Sequence, residues 1–148
     1  MKNIHFSSET NEWSTPMDFF NKLNTEFNFT LDPCATAENA KCSKFYTLED
    51  DGLAQDWLNE IVFMNPPYGR QIKLWIKKAF EESLKGAIVV CLVPARKDTK
   101  YWHYYCMKAD EVRFIKGRLK FSDKDAAPFP SAVVVFKGLS FMALKLSA

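Results

Sequence analysis

The run Ala87–Val93 (AIVVCLV) constrains the fold more than any other segment of this 148-residue chain. Gly86 precedes it and Pro94 ends it, so it is far shorter than the ~20 residues of a membrane span and too short for a buried helix. A continuous, β-branched apolar run of this length fits a strand covered on both faces, as in sheets flanked by helices. Ile61–Met64 (IVFM) is a second run of the same kind. Between the two, Ile72, Trp75, Ile76, Ala79 and Phe80 recur at helical spacing, marking an amphipathic helix that stops near Gly86. Strand, helix and strand in that order indicate a parallel crossover.

The same reading extends in both directions. Thr15 reads as a helix cap with Pro16 at the first helical position, and Phe19, Phe20, Leu23 and Phe27 follow at helical spacing. Phe29-Thr30-Leu31 reads as a short strand ending at Asp32-Pro33-Cys34. Residues 35–60 are loop-like and acidic, with a short strand near Phe45-Tyr46 and a helical turn around Leu53 to Leu58. A helix over Thr99–Lys108 and a strand over Val112–Ile115 come next. Ala132–Phe136 and Phe141–Leu146 are close enough to form a hairpin, adding an antiparallel edge to a mostly parallel α/β sheet. The length suits one domain over residues 1–148, with residues 1–11 a polar arm.

Asn65-Pro66-Pro67-Tyr68 follows the first apolar strand directly. The two prolines fix φ and remove their own N–H groups. Asn65 offers a side-chain carbonyl and Pro66 a backbone carbonyl, two acceptors suited to the hydrogens of an amide or exocyclic NH2. Such a nitrogen is planar and poorly nucleophilic. Holding both hydrogens draws it toward a tetrahedral shape, its lone pair aimed at an incoming methyl, with little reorganisation. Tyr68 supplies a flat face for stacking, and Gly69 lets the chain turn away. Asn-Pro and Pro-Pro are also ordinary turn signals, but ligands in open α/β sheets bind beyond the carboxyl ends of strands, where this tetrad sits.

Charge divides along the chain. Residues 1–69 hold four Lys/Arg and eleven Asp/Glu, giving −7, whereas residues 70–148 hold sixteen and seven, giving +9. The acidic half favours a cationic small molecule and the basic half a polyanion. Asp32, after a strand end, and Asp51, beside Asp50 and Glu49, suit a ligand's hydroxyl or ammonium groups, although Asp50-Asp51-Gly52 also reads as a surface turn. The polar opening Met1-Lys2-Asn3 is not a secretory signal. Cys34, Cys42, Cys91 and Cys106 therefore read as reduced thiols in a cytoplasm. With His5 and His103 they lack the paired spacing of a zinc site, so no metal is expected.

In order, WSTP (13–16), LDPCA (31–35), DGL (51–53), FMNPPYG (63–69), LVPAR (92–96), GRLKF (117–121) and APFPSAVVVF (127–136) span nearly the whole chain. The chain resembles the phage DNA N-6-adenine methyltransferases, the Dam-like family. The resemblance implies a Rossmann-like fold dependent on S-adenosylmethionine, with transfer of its methyl group to the N-6 amino group of adenine. It implies Asn65, Pro66, Pro67 and Tyr68 as the catalytic tetrad. Trp13, Thr15 and Pro16 would lie along the methionine end of the cofactor, Asp32, Pro33 and Cys34 beneath it, and Asp51 at its adenosine, with Asn65 also a cofactor contact. The turn after Asp32 has no glycine, unlike that of many methyltransferases. In duplex DNA the adenine must be flipped out, with Tyr68 as its stacking partner. Phosphate contacts are expected from Arg70, Arg96, Lys97, Arg118 and Lys120. The open alternatives are RNA adenine, cytosine N-4 or protein glutamine as substrate, or a non-catalytic nucleic-acid-binding module of the same fold.

Overall fold

A computed structural model describes residues 13–121 and 126–138. Four strands, β1 (Ile61–Met64), β2 (Ile88–Pro94), β3 (Glu111–Phe114) and β4 (Ser131–Phe136), form one sheet in the order β1-β2-β4-β3. β1 and β2 pair in parallel, Ile61 opposite Ile88 and Met64 opposite Cys91. β4 pairs antiparallel with both β2 and β3. Two of the three ladders are thus antiparallel, which corrects the expected mostly parallel sheet with an antiparallel edge. The physical reason is the place of β4. It is the one reversed strand of the four and lies inside the sheet, so it contributes an antiparallel ladder on each side. Its sequence SAVVVF is buried at every position, as suits an interior strand. Its expected hairpin partner, Phe141–Leu146, and the expected arm over residues 1–11 lie outside the described residues.

Beyond β1, parallel pairing continues as isolated bridges, Leu31 with Val62 and Asp32 with Phe45. The two short strands expected near these residues are therefore single-residue contacts, held by bonds such as Phe63 N–H to the Leu31 carbonyl at 3.0 Å. What the site needs from them is direction. Asp32 and Asn65 emerge from parallel segments at the same end of the sheet.

Three α-helices are described: α1 (Met17–Phe27), α2 (Ile72–Leu84) and α3 (Lys100–Tyr104). The helix expected over Thr99–Lys108 is broken at Tyr105 and resumes as a 3-10 turn, Cys106–Lys108. Thr99 caps α3 by accepting from the Trp102 amide. α1 departs from the expected start, for its N-cap is Pro16, with no side-chain cap, and Thr15 lies before it. The Thr15 hydroxyl is engaged elsewhere, by Asn65.

The core lies between α2 and the sheet. Ile76 and Ala79 of α2, Val89, Val90 and Leu92 of β2, and Val134 and Val135 of β4 have no exposed surface. Fully burying a Val or Leu stabilises by about 1.5–3 kcal/mol, so this sheet is the rigid frame of the molecule. Glu82 of α2 is also buried, at 1% exposure. It accepts from the Trp57 amide at 2.7 Å and pairs with Lys85 at 3.2 Å and Lys78 at 3.4 Å. Burial pushes its carboxyl up, but the Trp57 amide and the two lysines more than offset this and hold it below the ordinary glutamate value. Among the described residues no helix is long and apolar enough to cross a membrane.

Candidate active site

The turns Asp32-Pro33-Cys34 and Asn65-Pro66-Pro67 leave parallel segments side by side, and the Cys34 thiol donates to the Asn65 carbonyl at 3.4 Å. Together with residues 13–15, the loop around Asp51 and the first turns of α2, they bound a cavity of about 870 Å³. Gly52 sets one wall. A Cβ there would lie 2.0 Å from the Pro33 carbonyl oxygen, inside any permitted contact, so only glycine lets the two backbones meet. Asp51 enters this wall in the left-handed region, with φ 56° and ψ 80°. Trp57 anchors it from below, its indole N–H donating to the Gly52 carbonyl at 3.0 Å while Glu82 holds its backbone. Trp57 and Trp75 stack with centroids 6.3 Å apart.

Carboxylates of Asp32, Glu38, Glu49 and Asp51 line the cavity, against Lys41 as the one lysine or arginine among its described lining residues. A negative, partly enclosed site of this kind favours cations. Asp32 is 5% exposed and accepts from the Lys41 amide at 3.0 Å. Burial pushes its carboxyl up to about 6, against the opposing pull of the Lys41 and Cys34 amides.

Asn65 presents an asymmetric arrangement. Its Nδ2 donates to the Trp13 carbonyl, and to Thr15 Oγ1 at 2.9 Å. A carbonyl oxygen can only accept, so the amide nitrogen must face Trp13, and Oδ1 must face away from it. Oδ1 is closed to water and has no partner among the described residues. An unmade hydrogen bond on a buried carbonyl costs about 1–3 kcal/mol, and natural structures keep few of them. The adjacent Pro66 is buried, and no described residue donates to its carbonyl.

Most residues expected to meet a cofactor converge here. Trp13, Thr15, Asp32, Pro33, Cys34, Asp51 and Asn65 all line the cavity, whereas Pro16 does not. Asn65, Pro66 and Pro67 line it too, and Tyr68 does not. The Tyr68 ring is 6% exposed, its hydroxyl donates to the Leu92 carbonyl at 3.3 Å, and Phe121 and Phe129 meet it edge-on at 6.4 and 5.5 Å. In this conformation its face is not open to a stacking base.

The basic candidates separate into kinds. Arg96 and Lys97 line a second, shallower groove of about 470 Å³ with Pro128, Phe129 and Pro130, and the Arg96 guanidinium lies 5.8 Å over the Phe129 ring. Arg118 is tied to the Ala127 carbonyl at 3.2 Å. Arg70 and Lys120 are exposed. Sequence reasoning missed Trp75, which lines the cavity with its indole nitrogen buried and unpartnered among the described residues. Helical spacing identified it as apolar-facing, but spacing does not separate a core wall from a cavity wall. Glu82 was missed as well, since one acid in the helix segment Glu81-Glu82 carries no signal of burial.

The chain belongs to the DNA N-6-adenine-methyltransferase (Dam) family, whose profile matches residues 4–137. It is 31% identical over 110 residues to the DNA N-6-adenine-methyltransferase of Haemophilus phage HP1, an alignment covering 73% of this chain and 64% of that protein. It is 33% identical over 109 residues to the DNA N-6-adenine-methyltransferase of Escherichia phage T1, covering 72% of this chain and 45% of that protein. The chain thus spans less than two thirds of the length of either relative.

Proposed function

We propose that this chain is a DNA (adenine-N6)-methyltransferase acting on a flipped adenine, with S-adenosylmethionine as methyl donor. The observation that carries the reading is the buried, unpartnered Oδ1 of Asn65 at the rim of an acidic cavity. An oxygen so placed needs a hydrogen donor, and the adenine N-6 amino group would be one once the groups covering Oδ1 give way to it. The reading includes a Rossmann-like arrangement in a single domain over residues 1–148. Three of the four strands share a direction, and the candidate residues lie off their common end, as that fold requires. The setting proposed is the cytoplasm of a bacterial host, a reading supported by the phage origin of the two relatives.

S-adenosylmethionine would supply a methyl group on a cationic sulfonium. The residues that would hold it are Trp13 and Thr15, the turn Asp32-Pro33-Cys34, and Asp51 with Gly52. The four lining carboxylates fit its sulfonium and ammonium charges, and the buried carboxyl of Asp32 gains a counter-charge when the ammonium arrives. Asn65 Oδ1 and the Pro66 carbonyl each accept one hydrogen of the adenine amino group and steer its lone pair toward the methyl carbon. When bound, S-adenosylmethionine would supply the methyl carbon and keep the electrons of its sulfur–carbon bond as a neutral thioether, and the methylated nitrogen would give up its surplus proton to water. Asn65 lowers the barrier by pre-set electrostatics, and the cavity walls by alignment. For Tyr68 to stack on the flipped base, Phe121 and Phe129 must first move off its ring.

Incubating the protein with labelled S-adenosylmethionine and unmethylated duplex DNA, single-stranded DNA, RNA or a glutamine-containing protein, then digesting to monomers, tests the reading. Label in N6-methyldeoxyadenosine is the expected outcome. Label confined to RNA, to N4-methylcytosine or to protein would replace the substrate, and no label in any arm would remove the enzyme.

A further inference from the structure

We infer that the Trp13 carbonyl and the Thr15 hydroxyl form a bracket that fixes the orientation of the Asn65 amide, making Thr15 a positioning residue for methyl transfer. The inference rests on the reading above and assigns to Thr15 a role beyond lining the donor cavity. A primary amide has two N–H hydrogens and one oxygen, and rotating it by half a turn about χ2 exchanges donor for acceptor at nearly the same shape. Only one of the two orientations serves an incoming NH2 group. In the other, two N–H groups would meet the substrate's own N–H groups, and Oδ1 would face the Trp13 carbonyl, acceptor against acceptor.

The bracket settles this with two acceptors, one for each amide hydrogen. The Trp13 carbonyl imposes the sense of the amide because it cannot donate. The Thr15 hydroxyl occupies the second hydrogen at 2.9 Å and so fixes the plane. Neither role is diffuse packing. Thr15 is 5% exposed, and its hydroxyl makes no helix cap, because α1 is capped at Pro16 without a side-chain bond. The Trp13 ring, in turn, packs edge-on against Phe121 at 5.5 Å and Phe129 at 5.4 Å, which seats the residue whose carbonyl Asn65 reads. Orienting the amide before substrate arrives removes a reorganisation step from the reaction.

Thr15→Val removes the hydroxyl and keeps the shape, and Thr15→Ser keeps the hydroxyl. On duplex DNA, kcat of Thr15→Val is expected to fall about tenfold, about the worth of one neutral hydrogen bond. Both variants are read at saturating donor, because Thr15 also lines the donor cavity, and Thr15→Ser should regain kcat to within about threefold of the parent. A Thr15→Val kcat equal to the parent's overturns the inference. So does an equal loss in both variants, or a loss seen only in donor Kd. A measurement on the unaltered full chain covers the case in which Thr15→Val does not fold. The Asn65 side-chain amide resonances, assigned by their disappearance in Asn65→Ala, should show both hydrogens slowed in solvent exchange. Exchange of both at the rate of an exposed asparagine overturns the bracket whether or not the protein transfers methyl groups. Absence of transfer by the parent protein removes the reading above and leaves the bracket to this exchange test.

Discussion

The cavity beyond Asp32 and Asn65 and the groove beyond β2 and β4 lie off one end of the same sheet, yet they are built differently. The cavity is closed by contacts that each involve main chain: the Gly52 backbone on the Pro33 carbonyl, the Cys34 thiol on the Asn65 carbonyl, the Asn65 side-chain amide on the Trp13 carbonyl. It is acidic and partly enclosed. The groove is made by side chains, a guanidinium over a phenyl ring with exposed prolines beside it, and its described cations are Arg96 and Lys97. Phe129 joins the two, touching Trp13 of the cavity on one side and Arg96 of the groove on the other. The difference teaches where substitutions should hurt. Reacting atoms need fixed neighbours, whereas a polyanion needs only charge within reach.

Asn65→Ala tests the cavity at its most demanding point and should have the largest effect. Removing one preorganised hydrogen-bond partner of a charge-developing atom costs about 10²–10³ in kcat. The fall should appear in single-turnover transfer to duplex DNA, with the donor Kd changing by about a tenth as much or less on that scale. Transfer near the parent rate would detach the tetrad from the chemistry. Gly52→Ala is the next largest. Its methyl would sit 2.0 Å from the Pro33 oxygen, so the Asp51 loop must lift from the Asp32 turn. Displacing a packed wall costs about 1–3 kcal/mol, read as a lower melting midpoint together with roughly tenfold or greater weakening of donor binding. Unchanged donor affinity in a folded Gly52→Ala protein would show that the wall does not shape the site.

These two positions also show how much was legible beforehand. The tetrad could be found because its chemistry is local: a strand, a carbonyl side chain and two prolines are contiguous at 64–67. The two parallel strands flanking α2 were legible for the same reason, since a continuous apolar run and a 3.6-residue period are short-range signals. The place of β4 was not, because strand order depends on which sheet edge a returning chain meets, and SAVVVF reads alike at either. Thr15 looked like a helix cap because Thr-Pro is a strong local signal, and a contact fifty residues away took its hydroxyl instead. Tyr68 was expected to offer its face but is enclosed by Phe121 and Phe129, which come from the far end of the chain. Gly52 could be noticed as a turn residue, but its contact with Pro33 could not.

The acid–base state of the cavity supplies a smaller, graded test. Burial holds the Asp32 carboxyl up to about 6, above the ordinary 3.8, even with the Lys41 charge nearby. If Asp32 faces the cationic donor as proposed, its ionised form is the one that binds, so below pH 6 a proton must leave first and Kd should rise about tenfold per pH unit. The stability contribution runs the other way. A carboxyl whose folded value is raised binds more protons folded than unfolded between 3.8 and about 6, so this group's contribution rises as pH falls through that window. As pH falls, donor affinity and this group's stability contribution, read as the melting-midpoint difference between the parent and Asp32→Asn, therefore move in opposite directions, which separates weakened binding from unfolding. Asp32→Asn should flatten the Kd profile, and a profile unchanged by that substitution would place the responsible group elsewhere.

The groove should give the smallest effect, and one of a different kind. Arg96 is exposed and rests on Phe129, with no carboxylate paired to it among the described residues. Its loss should leave the cavity intact, so kcat at saturating DNA and donor Kd should stay at parent values. Each phosphate contact contributes about one unit to the slope of log K against log salt, so Arg96→Ala should reduce that slope by about one. Between 50 and 200 mM salt this amounts to roughly a three- to fourfold change in how steeply affinity falls. Arg118→Ala is the internal control within the same basic half. Arg118 holds the Ala127 carbonyl, so its removal should act mainly on the backbone beside Phe129, lowering the melting midpoint with less effect on the slope. If Arg118→Ala flattened the salt dependence and Arg96→Ala did not, the phosphate track would run past Gly117–Phe121, and the groove at Phe129 would lose its place as the polyanion side of the molecule.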